Sequence, residues 1–336
     1  MAELVSLDEV RAAARRLQGI TVRTPLLPFP AAGPARVLIK PESLQPTGAF
    51  KLRGAYNAIA SLPEADRRRG VVAHSSGNHG YAVAYAAALL GVSAAIVVPD
   101  NAPTVKTDAI LAVGAELVRV KPTLAARIEA AEDIANTRGY APIPPFDDRR
   151  VIAGQGTVGL EIAEDCRPQT PAAVLVPVSG GGLISGIAVA IKALTPETRV
   201  IGVEPELAAD ARESFRTGTR VAWPASDVAR TAADSLRVEQ VGELTFPHIQ
   251  ALVDDIVTVT EEEMLTAVAR LATQARLVAE PGGAAAVAAA LFRSPAELGL
   301  TGAGAGGPLV TVLSGGNIDP SMLARVLAPR SQSYTG

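Results

Sequence analysis

A run of small residues between two apolar segments is the first place where the residue types of this chain suggest a chemistry. Residues 172–178 are AAVLVPV and residues 179–186 are SGGGLISG. A strand that turns through residues without bulk into a helix leaves backbone N–H groups free to converge on an anion. The sequence therefore predicts a phosphate-binding loop. One alternative is a plain tight turn with no ligand. Another is a dinucleotide site, which would use the glycines Gly180, Gly182 and Gly186 together with Glu204 at the end of the next strand.

A lysine in the first turn of a predicted helix is the second candidate. Residues 47–55 are TGAFKLRGA, and the lysine is Lys51. The positive end of a helix and an apolar setting both disfavour the charged amine, which makes the amine a better nucleophile for a carbonyl. The pattern predicts Schiff-base chemistry. The alternative is a solvated surface lysine, since lysine is rarely buried.

Two further polar segments follow predicted strands. Residues 71–80 are VVAHSSGNHG, in which Ser75, Ser76, Asn78 and the loop N–H groups could bind a carboxylate and offer a hydroxyl to a reacting carbon. Ordinary helix capping would explain the same residues. Residues 312–317, VLSGGN, end the last strand in a similar turn. Ligands of open α/β sheets gather at the carboxyl ends of strands, so these polar strand ends support one another.

The elements that must position these residues alternate along the chain. Short β-branched runs at 71–74, 94–98, 116–120, 174–178, 200–203 and 309–313 are separated by alanine-rich helical stretches such as 81–90 and 284–292. That alternation predicts a parallel α/β architecture with helices on both faces of the sheet.

Composition excludes several classes of protein. The 336 residues carry 31 Lys and Arg against 34 Asp and Glu, with no long run of one sign, which disfavours a nucleic-acid or anionic membrane surface as the main partner. A single cysteine, Cys166, excludes an internal disulfide framework and a multi-cysteine zinc site. The first residues lack an apolar signal core, so we expect a cytoplasmic protein. The uncharged residues 80–99 are interpreted as a buried helix and strand, not a membrane span.

Five motifs together, TGAFKLRGA, SSGNHG, AGQGTVGLEI, VPVSGGGL and LSGGN, resemble those of the fold type II (tryptophan synthase β-like) pyridoxal-phosphate enzymes. Within that family the similarity is to the threonine dehydratase and serine racemase branch, and it spans residues 17–327. The resemblance implies a two-domain α/β fold in which each domain is an open, mostly parallel sheet flanked by helices. We expect a large cofactor-binding domain of residues 1–65 and 150–330, a small inserted domain of residues 66–149, a tail of residues 331–336, and no C-terminal regulatory domain.

The resemblance also implies roles for individual residues. Lys51 would form the Schiff base with pyridoxal phosphate and then act as the base on the substrate α-carbon, with Phe50 against the pyridine ring. Asn78 would bond the phenolic oxygen of the cofactor, and Ser314 would meet the pyridine nitrogen. The backbone N–H groups that would hold the phosphate are those of Ser179, Gly180, Gly181, Gly182 and Leu183. The residues that would hold the substrate carboxylate are Ser75, Ser76, Gly77, Asn78 and His79.

The implied activity is a dehydratase, or ammonia-lyase, that converts L-threonine or L-serine to a 2-oxo acid and ammonia by β-elimination. Ser76 keeps a second activity open, because dedicated threonine deaminases of the family often have Ala there and serine racemases use a Ser. The alternatives are therefore a serine racemase or a 3-hydroxyaspartate dehydratase or racemase. Two alternatives belong to other classes of protein, namely an NAD-dependent dehydrogenase and a non-catalytic cofactor-binding protein. The expected partner is a small hydroxy amino acid, and the expected assembly is a homodimer.

A divalent cation site is a further implication of the resemblance. Glu204, Ala208 and Asp210 match the acid, backbone carbonyl and acid that metal-binding members use, and oxygen ligands suit Mg²⁺ or Ca²⁺ in a structural and activating role. An exposed acidic loop is the alternative.

Some positions depart from the family pattern. Ala49 stands where many relatives have Ser, and Gly282 and Gly283 replace the commoner Ser-Gly or Ala-Gly. Ser235 stands where relatives usually have Gly beside the cofactor ring. We expect the added side chain of Ser235 to narrow the pocket and alter substrate choice.

Overall fold

A computed structural model describes residues 3–29, 37–75, 77–102, 104–301 and 306–328 of the chain. The strands are β1 (Leu27–Pro28), β2 (Val37–Pro41), β3 (Val71–His74), β4 (Ala94–Pro99), β5 (Glu116–Val120), β6 (Ala141–Pro142), β7 (Ala173–Pro177), β8 (Arg199–Pro205), β9 (Asp255–Val259) and β10 (Leu309–Leu313). The helices are α1 (Leu7–Leu17), α2 (Lys51–Ala60), α3 (Glu64–Arg69), α4 (Asn78–Leu90), α5 (Thr104–Ala112), α6 (Leu124–Arg138), α7 (Arg149–Asp165), α8 (Gly182–Leu194), α9 (Asp210–Thr217), α10 (Ala225–Val228), α11 (Thr245–Leu252), α12 (Glu261–Arg270), α13 (Pro281–Phe292) and α14 (Pro320–Leu327).

These strands form two sheets. The larger has the order β1-β2-β10-β7-β8-β9, and the smaller has the order β5-β4-β3-β6. All neighbouring strands are parallel except β1 and β2, which pair antiparallel. The predicted mixed α/β class with mostly parallel sheets is confirmed. The strands of the smaller sheet all fall between residues 71 and 142, which supports the proposal of an inserted unit at 66–149.

The six strands predicted from β-branched runs are present to within a few residues, but β1, β2, β6 and β9 were not predicted. Strand β2 is buried along its whole length although it carries Lys40, whose side chain is fully buried. A lysine and a proline within five residues break the apolar pattern, and the ion pairs that allow the burial come from other parts of the chain. Periodicity alone therefore could not find this strand.

The interpretation of residues 80–99 is confirmed. Helix α4 ends at Gly91, which adopts a left-handed conformation with φ of 64°, and strand β4 follows. In the part of the chain that the structure describes, no helix is both long and apolar enough to cross a membrane.

Glycines let the central helices approach each other closely. A Cβ at Gly156 of α7 would lie 2.9 Å from the carbonyl oxygen of Gly186 in α8, and one at Gly159 would lie 2.8 Å from that of Ile187. A Cβ at Gly154 would lie 2.6 Å from the carbonyl oxygen of Arg53 in α2. The AGQGTVGLEI motif is thus a packing motif, which sets α2 against α7 and α7 against α8.

Candidate active site

Lys51 is the first residue of α2, and this end of the helix is fixed to the end of β10. The N–H of Phe50 donates to the carbonyl oxygen of Ser314 at 3.1 Å, and the N–H of Gly316 donates to that of Gly48 at 2.8 Å. The amine of Lys51 donates to the carbonyl oxygen of Pro145 at 2.7 Å. Burial of the amine lowers the pKa of Lys51 to about 8, against the opposing effect of the Glu280 carboxylate. A substantial fraction of the amine is therefore neutral near pH 8, as a nucleophile or base requires.

The loop after β3 leads directly into α4. The hydroxyl of Ser75 accepts from the N–H of Gly77 at 3.3 Å, and a Cβ at Gly80 would collide with the carbonyl oxygen of Ser75. Ser76 lies outside the described residues. The first N–H groups of α4, beginning at Asn78, have no acceptor within the helix, so this end of the helix can bind a carboxylate.

His79 is buried, and its Nε2 lies 2.8 Å from the carbonyl oxygen of Ile143. Burial and the nearby Lys51 lower the pKa of His79 to about 3, so the imidazole is neutral and donates this hydrogen bond. The imidazole therefore holds the segment after β6, and the part of His79 that can serve a carboxylate is its backbone N–H.

Asn78 lies in a side-chain network that the sequence did not reveal. Its Nδ2 donates to Glu280 at 2.7 Å, and its Oδ1 accepts from Asn317 at 2.8 Å. Asn317 also donates to the carbonyl oxygen of Thr47 at 2.9 Å. Glu280 is the residue before α13 and is almost fully buried. The network joins the loop after β3, the loop before Lys51 and the turn after β10.

The predicted phosphate loop lies between β7 and α8. Ser179 and Gly181 both have left-handed backbone conformations, with φ of 55° and 89°. The N–H of Gly181 donates to the carbonyl oxygen of Val178 at 3.1 Å, whereas the first N–H groups of α8, from Gly182 and Leu183 onward, have no acceptor within the helix. The loop is therefore an anion cradle at a helix N-terminus.

Phe146 explains why the cradle needs glycine. A Cβ at Gly180 would fall closer than 3.0 Å to the Phe146 ring, and one at Gly182 would lie 2.9 Å from the Cβ of Phe146. Phe146 belongs to residues 143–148, which we call the crossover segment. The same segment supplies the acceptors for His79 and Lys51.

Asp147 and Asp148 fix the far end of the crossover segment. The carboxylate of Asp147 accepts from the N–H groups of Glu243, Leu244 and Thr245, at 3.0, 2.7 and 3.3 Å. Asp148 caps α7 by accepting from the N–H groups of Arg150 and Val151. The crossover segment thus contacts Lys51, helix α4 and the cradle at the same time.

A buried ion cluster supports α2 beneath Lys51. The Arg53 guanidinium makes two bonds to Glu42, at 2.7 and 2.8 Å, and two to Glu161, at 2.6 and 2.9 Å. The amine of Lys40 lies 2.6 Å from Glu161 as well. Burial acts to raise the pKa of Glu161, but Arg53 and Lys40 hold it below its ordinary value. The cluster joins α2, α7 and β2, and it was missed because its members are far apart in sequence.

Two acids, Glu204 near the end of β8 and Asp210 at the start of α9, lie close together. Glu204 is buried and accepts from the N–H groups of Ala211 and Arg212 at 3.3 and 2.8 Å. Both carboxylate oxygens of Asp210 are buried, and among the described residues only the backbone N–H groups of Asp210 itself and Val241 stabilise its charge. Burial raises the pKa of Asp210 to about 7, and burial together with the Asp210 charge raises that of Glu204 well above its ordinary value.

The exposed-loop alternative for these acids is wrong, because Glu204, Ala208 and Asp210 are each about 1% exposed. The part of the chain that the structure describes holds no group of three His, Cys, Asp or Glu side chains that could bind a metal. A site here therefore needs a backbone carbonyl, such as that of Ala208, as its third ligand.

The arrangement fits pyridoxal phosphate. An anion cradle, a lysine with a lowered pKa, an amide at Asn78 and a buried hydroxyl at Ser314 are joined into one continuous set of hydrogen-bonded elements. The Ser314 N–H donates to the carbonyl oxygen of Gly283 at 3.3 Å, which fixes that turn against α13. Backbone N–H groups can bind a phosphate, and a neutral lysine amine can react with an aldehyde. An amide can donate to a phenolic oxygen, and a hydroxyl can donate to a pyridine nitrogen.

Comparison with known proteins agrees with this geometry. The chain is 41% identical over 327 residues to an L-threonine ammonia-lyase of Thermotoga maritima, covering 96% of this chain and 78% of that protein. It is 37% identical over 330 residues to the L-threo-3-hydroxyaspartate ammonia-lyase of Saccharomyces cerevisiae, covering 97% and 98%. The solved structure of maize serine racemase is 34% identical with a TM-score of 0.89, covering 96% and 97%. The family model described as "Pyridoxal-phosphate dependent enzyme" matches residues 17–315. This chain therefore belongs to the family of pyridoxal-phosphate dependent enzymes, and the resemblance seen in its motifs is confirmed.

Proposed function

We propose that this enzyme is an ammonia-lyase that converts L-threonine and L-serine to 2-oxobutyrate and pyruvate, with release of ammonia. The observation that carries the proposal is the amine of Lys51, which has a pKa of about 8 and lies at the junction of the carboxylate-binding loop, the cradle and the turn at Ser314. The similarity to a threonine ammonia-lyase over nearly the whole chain supports the choice of substrate.

The cofactor residues are those of the cradle and its surroundings. We assign the phosphate to the N–H groups of residues 179–183, and the pyridine ring to the face of Phe50. Asn78 would bond the phenolic oxygen, and Ser314 would bond the pyridine nitrogen. Pyridoxal phosphate, when bound, supplies an electron sink that stabilises negative charge at the substrate α-carbon. Because a serine hydroxyl does not keep the pyridine nitrogen protonated, we expect the sink to be moderate, which favours prompt loss of a β-hydroxyl.

The protein's own groups perform the proton transfers. The substrate carboxylate binds at the N-terminus of α4, where Asn78 and His79 present backbone N–H groups. The Nζ of Lys51, neutral because of its lowered pKa, takes the α-proton. In sum, the α-proton taken by Lys51 and the β-hydroxyl leave together as water. The resulting enamine takes up one water and releases ammonia, so the net products are a 2-oxo acid and ammonia.

Racemisation is the second candidate activity. The residue that favours it is Ser76, because the family resemblance implies that a serine there returns a proton to the opposite face of the α-carbon. The similarity to a serine racemase structure over nearly all of the chain supports the same candidate. The similarity to a 3-hydroxyaspartate ammonia-lyase adds that substrate as an alternative.

A divalent cation at Glu204, the carbonyl of Ala208 and Asp210 is part of the proposal. Two buried carboxylates fit a Mg²⁺ or Ca²⁺ ion, which would neutralise their charges. The role is structural. We also propose a homodimer in the cytoplasm, to be tested by light scattering and by cell fractionation.

Proton NMR in deuterated water tests the activity. The protein is incubated with pyridoxal phosphate, Mg²⁺ and L-serine or L-threonine, and both oxo-acid formation and α-proton exchange are followed. Pyruvate or 2-oxobutyrate would establish the lyase, and α-deuterated D-serine with little oxo acid would establish the racemase instead.

Two variants make the test specific to the site. Lys51→Ala should abolish turnover, whereas Lys121→Ala, at an exposed lysine outside the site, should leave it unchanged. Full activity in Lys51→Ala would overturn the proposal. Ser76→Ala should spare elimination and remove racemisation, and an equal loss of both would show that Ser76 only positions the substrate.

A further inference from the structure

Two of the departures from the family pattern, Ser235 and Gly282, touch each other in the structure. A Cβ at Gly282 would fall on the Oγ of Ser235, well inside the 3.0 Å that real Cβ contacts observe. The next atoms it would meet are the Cγ of Leu236 at 3.1 Å and the Cβ of Ala233 at 3.6 Å, which are tight or ordinary contacts. The Ser235 hydroxyl therefore occupies the space that any side chain at residue 282 would need.

This contact changes what the Ser235 side chain is expected to do. Its hydroxyl lies over the first turn of α13, in space left by the missing side chain of Gly282. The added volume at residue 235 is thus matched by removed volume at residue 282. With a side chain at residue 282, Ser235 would have to turn its hydroxyl into another rotamer or shift its backbone.

The backbone of Ser235 is tied to the cradle. Its carbonyl oxygen accepts from the hydroxyl of Ser179 at 3.4 Å. Ser179 holds a φ of 55°, a left-handed conformation that is costly for a residue with a side chain and persists only where its surroundings support it. A shift of Ser235 would therefore disturb the residue at which the cradle begins.

We propose that the backbone carbonyl of Ser235 positions Ser179 at the start of the phosphate cradle, and that Gly282 allows this by leaving room for the Ser235 hydroxyl. The chain of contacts runs from α13 through Ser235 to Ser179. The proposal rests on the proposed cofactor role of the cradle, and it predicts that the two positions are coupled, so that a side chain at residue 282 is tolerated only when the side chain of Ser235 is removed.

A double-mutant cycle tests the coupling. The four proteins are the wild type, Gly282→Ala, Ser235→Gly and the double variant, each freed of cofactor and titrated with pyridoxal phosphate while the absorbance of the bound cofactor is followed. Gly282→Ala alone should weaken cofactor affinity about tenfold, within the range of coupling seen for residues in contact. In the Ser235→Gly background the same substitution should change the affinity less than about twofold.

The melting temperature of the cofactor-free proteins gives a second readout with a change of sign. Alanine is a better helix former than glycine, so Gly282→Ala should raise the melting temperature when Ser235 is absent and lower it when Ser235 is present. Gly306→Ala is the matched control, since a Cβ at Gly306 meets nothing within 4 Å, and it should behave alike in both backgrounds.

The outcomes separate this proposal from the proposed function. Equal effects of Gly282→Ala in the two backgrounds would overturn the coupling, and so would an unchanged affinity in the single variant. If Gly282→Ala fails to fold but the double variant folds and binds the cofactor, the coupling is supported. A wild type that binds no pyridoxal phosphate would instead overturn the proposed function.

Discussion

Removing Arg53 should destabilise the protein far more than removing an exposed arginine. The side chain is fully buried and makes four hydrogen bonds to two carboxylates, Glu42 and Glu161. In Arg53→Met, Glu42 stays fully buried without its cation, while Glu161 retains Lys40. Breaking one partner out of a buried ion pair costs about 3–5 kcal/mol, and we expect a loss of that size in the free energy of unfolding.

Urea denaturation of the holoenzyme, followed by far-UV circular dichroism, measures the loss. Arg138→Met is the matched control because Arg138 pairs with Glu116 on the surface, where solvent screens the charges, and its unfolding curve should coincide with that of the wild type. Arg53→Lys should lie between the wild type and Arg53→Met, because lysine keeps the charge but cannot bond two carboxylates with a planar fork.

A double variant separates the unpaired charge from the lost packing. In Arg53→Met/Glu42→Gln the buried site no longer holds an uncompensated carboxylate, so the loss should be smaller than in the single variant by about 1 kcal/mol or more. Coincident curves for Arg53→Met and Arg138→Met would refute the reasoning, and a double variant less stable than the single one would refute the assigned cause.

Three more predictions concern the site. Because the pKa of Lys51 is lowered to about 8, the fraction of neutral amine increases as the pH rises through 8. Capture of pyridoxal phosphate by the cofactor-free enzyme should therefore accelerate from pH 6 to 8 and level off above about 9. Stopped-flow absorbance measures this rate, and a rate that falls over this range would contradict the assignment. Gly180→Ala should weaken cofactor affinity at least tenfold, measured by equilibrium titration, because the added Cβ would collide with the Phe146 ring. The same substitution in a Phe146→Leu background should recover part of the lost affinity. If it recovers none, the collision with Phe146 is not the cause of the loss. Mg²⁺ should raise the melting temperature of the wild type but not that of Asp210→Asn, since Asp210 is one of the two buried carboxylates of the proposed cation site. An equal rise in both proteins would exclude Glu204 and Asp210 as the site.

Much of the candidate site was accessible from local sequence patterns. Lys51 at the start of a helix, the small residues 179–182 between a strand and a helix, and Ser314 at the end of a strand each carry a signal within about ten residues. The parallel α/β class followed from the alternation of β-branched and alanine-rich segments, because each element buries its own apolar face. These features depend on backbone preference and on hydrophobic burial, both of which show in the pattern of neighbouring residues along the chain.

Other parts of the site depend on residues that only the fold brings together. Glu280 lies 202 positions from Asn78, and the contact between them closes the network around the carboxylate-binding loop. Phe146 beneath the cradle and the Ser235–Gly282 contact are equally non-local. No local pattern reveals such pairs, since each residue type is common and only its neighbour gives it a role.

The sequence by itself determined the class of fold and, through five motifs in order, the family, and it indicated candidate site residues. The tertiary structure decided which of those candidates lie near one another, how far burial lowers the pKa of Lys51, and why a side chain at residue 180 would meet the Phe146 ring. The physical reason is that propensity and periodicity act over a few residues, whereas desolvation, ion pairing and steric exclusion depend on what the rest of the chain places nearby.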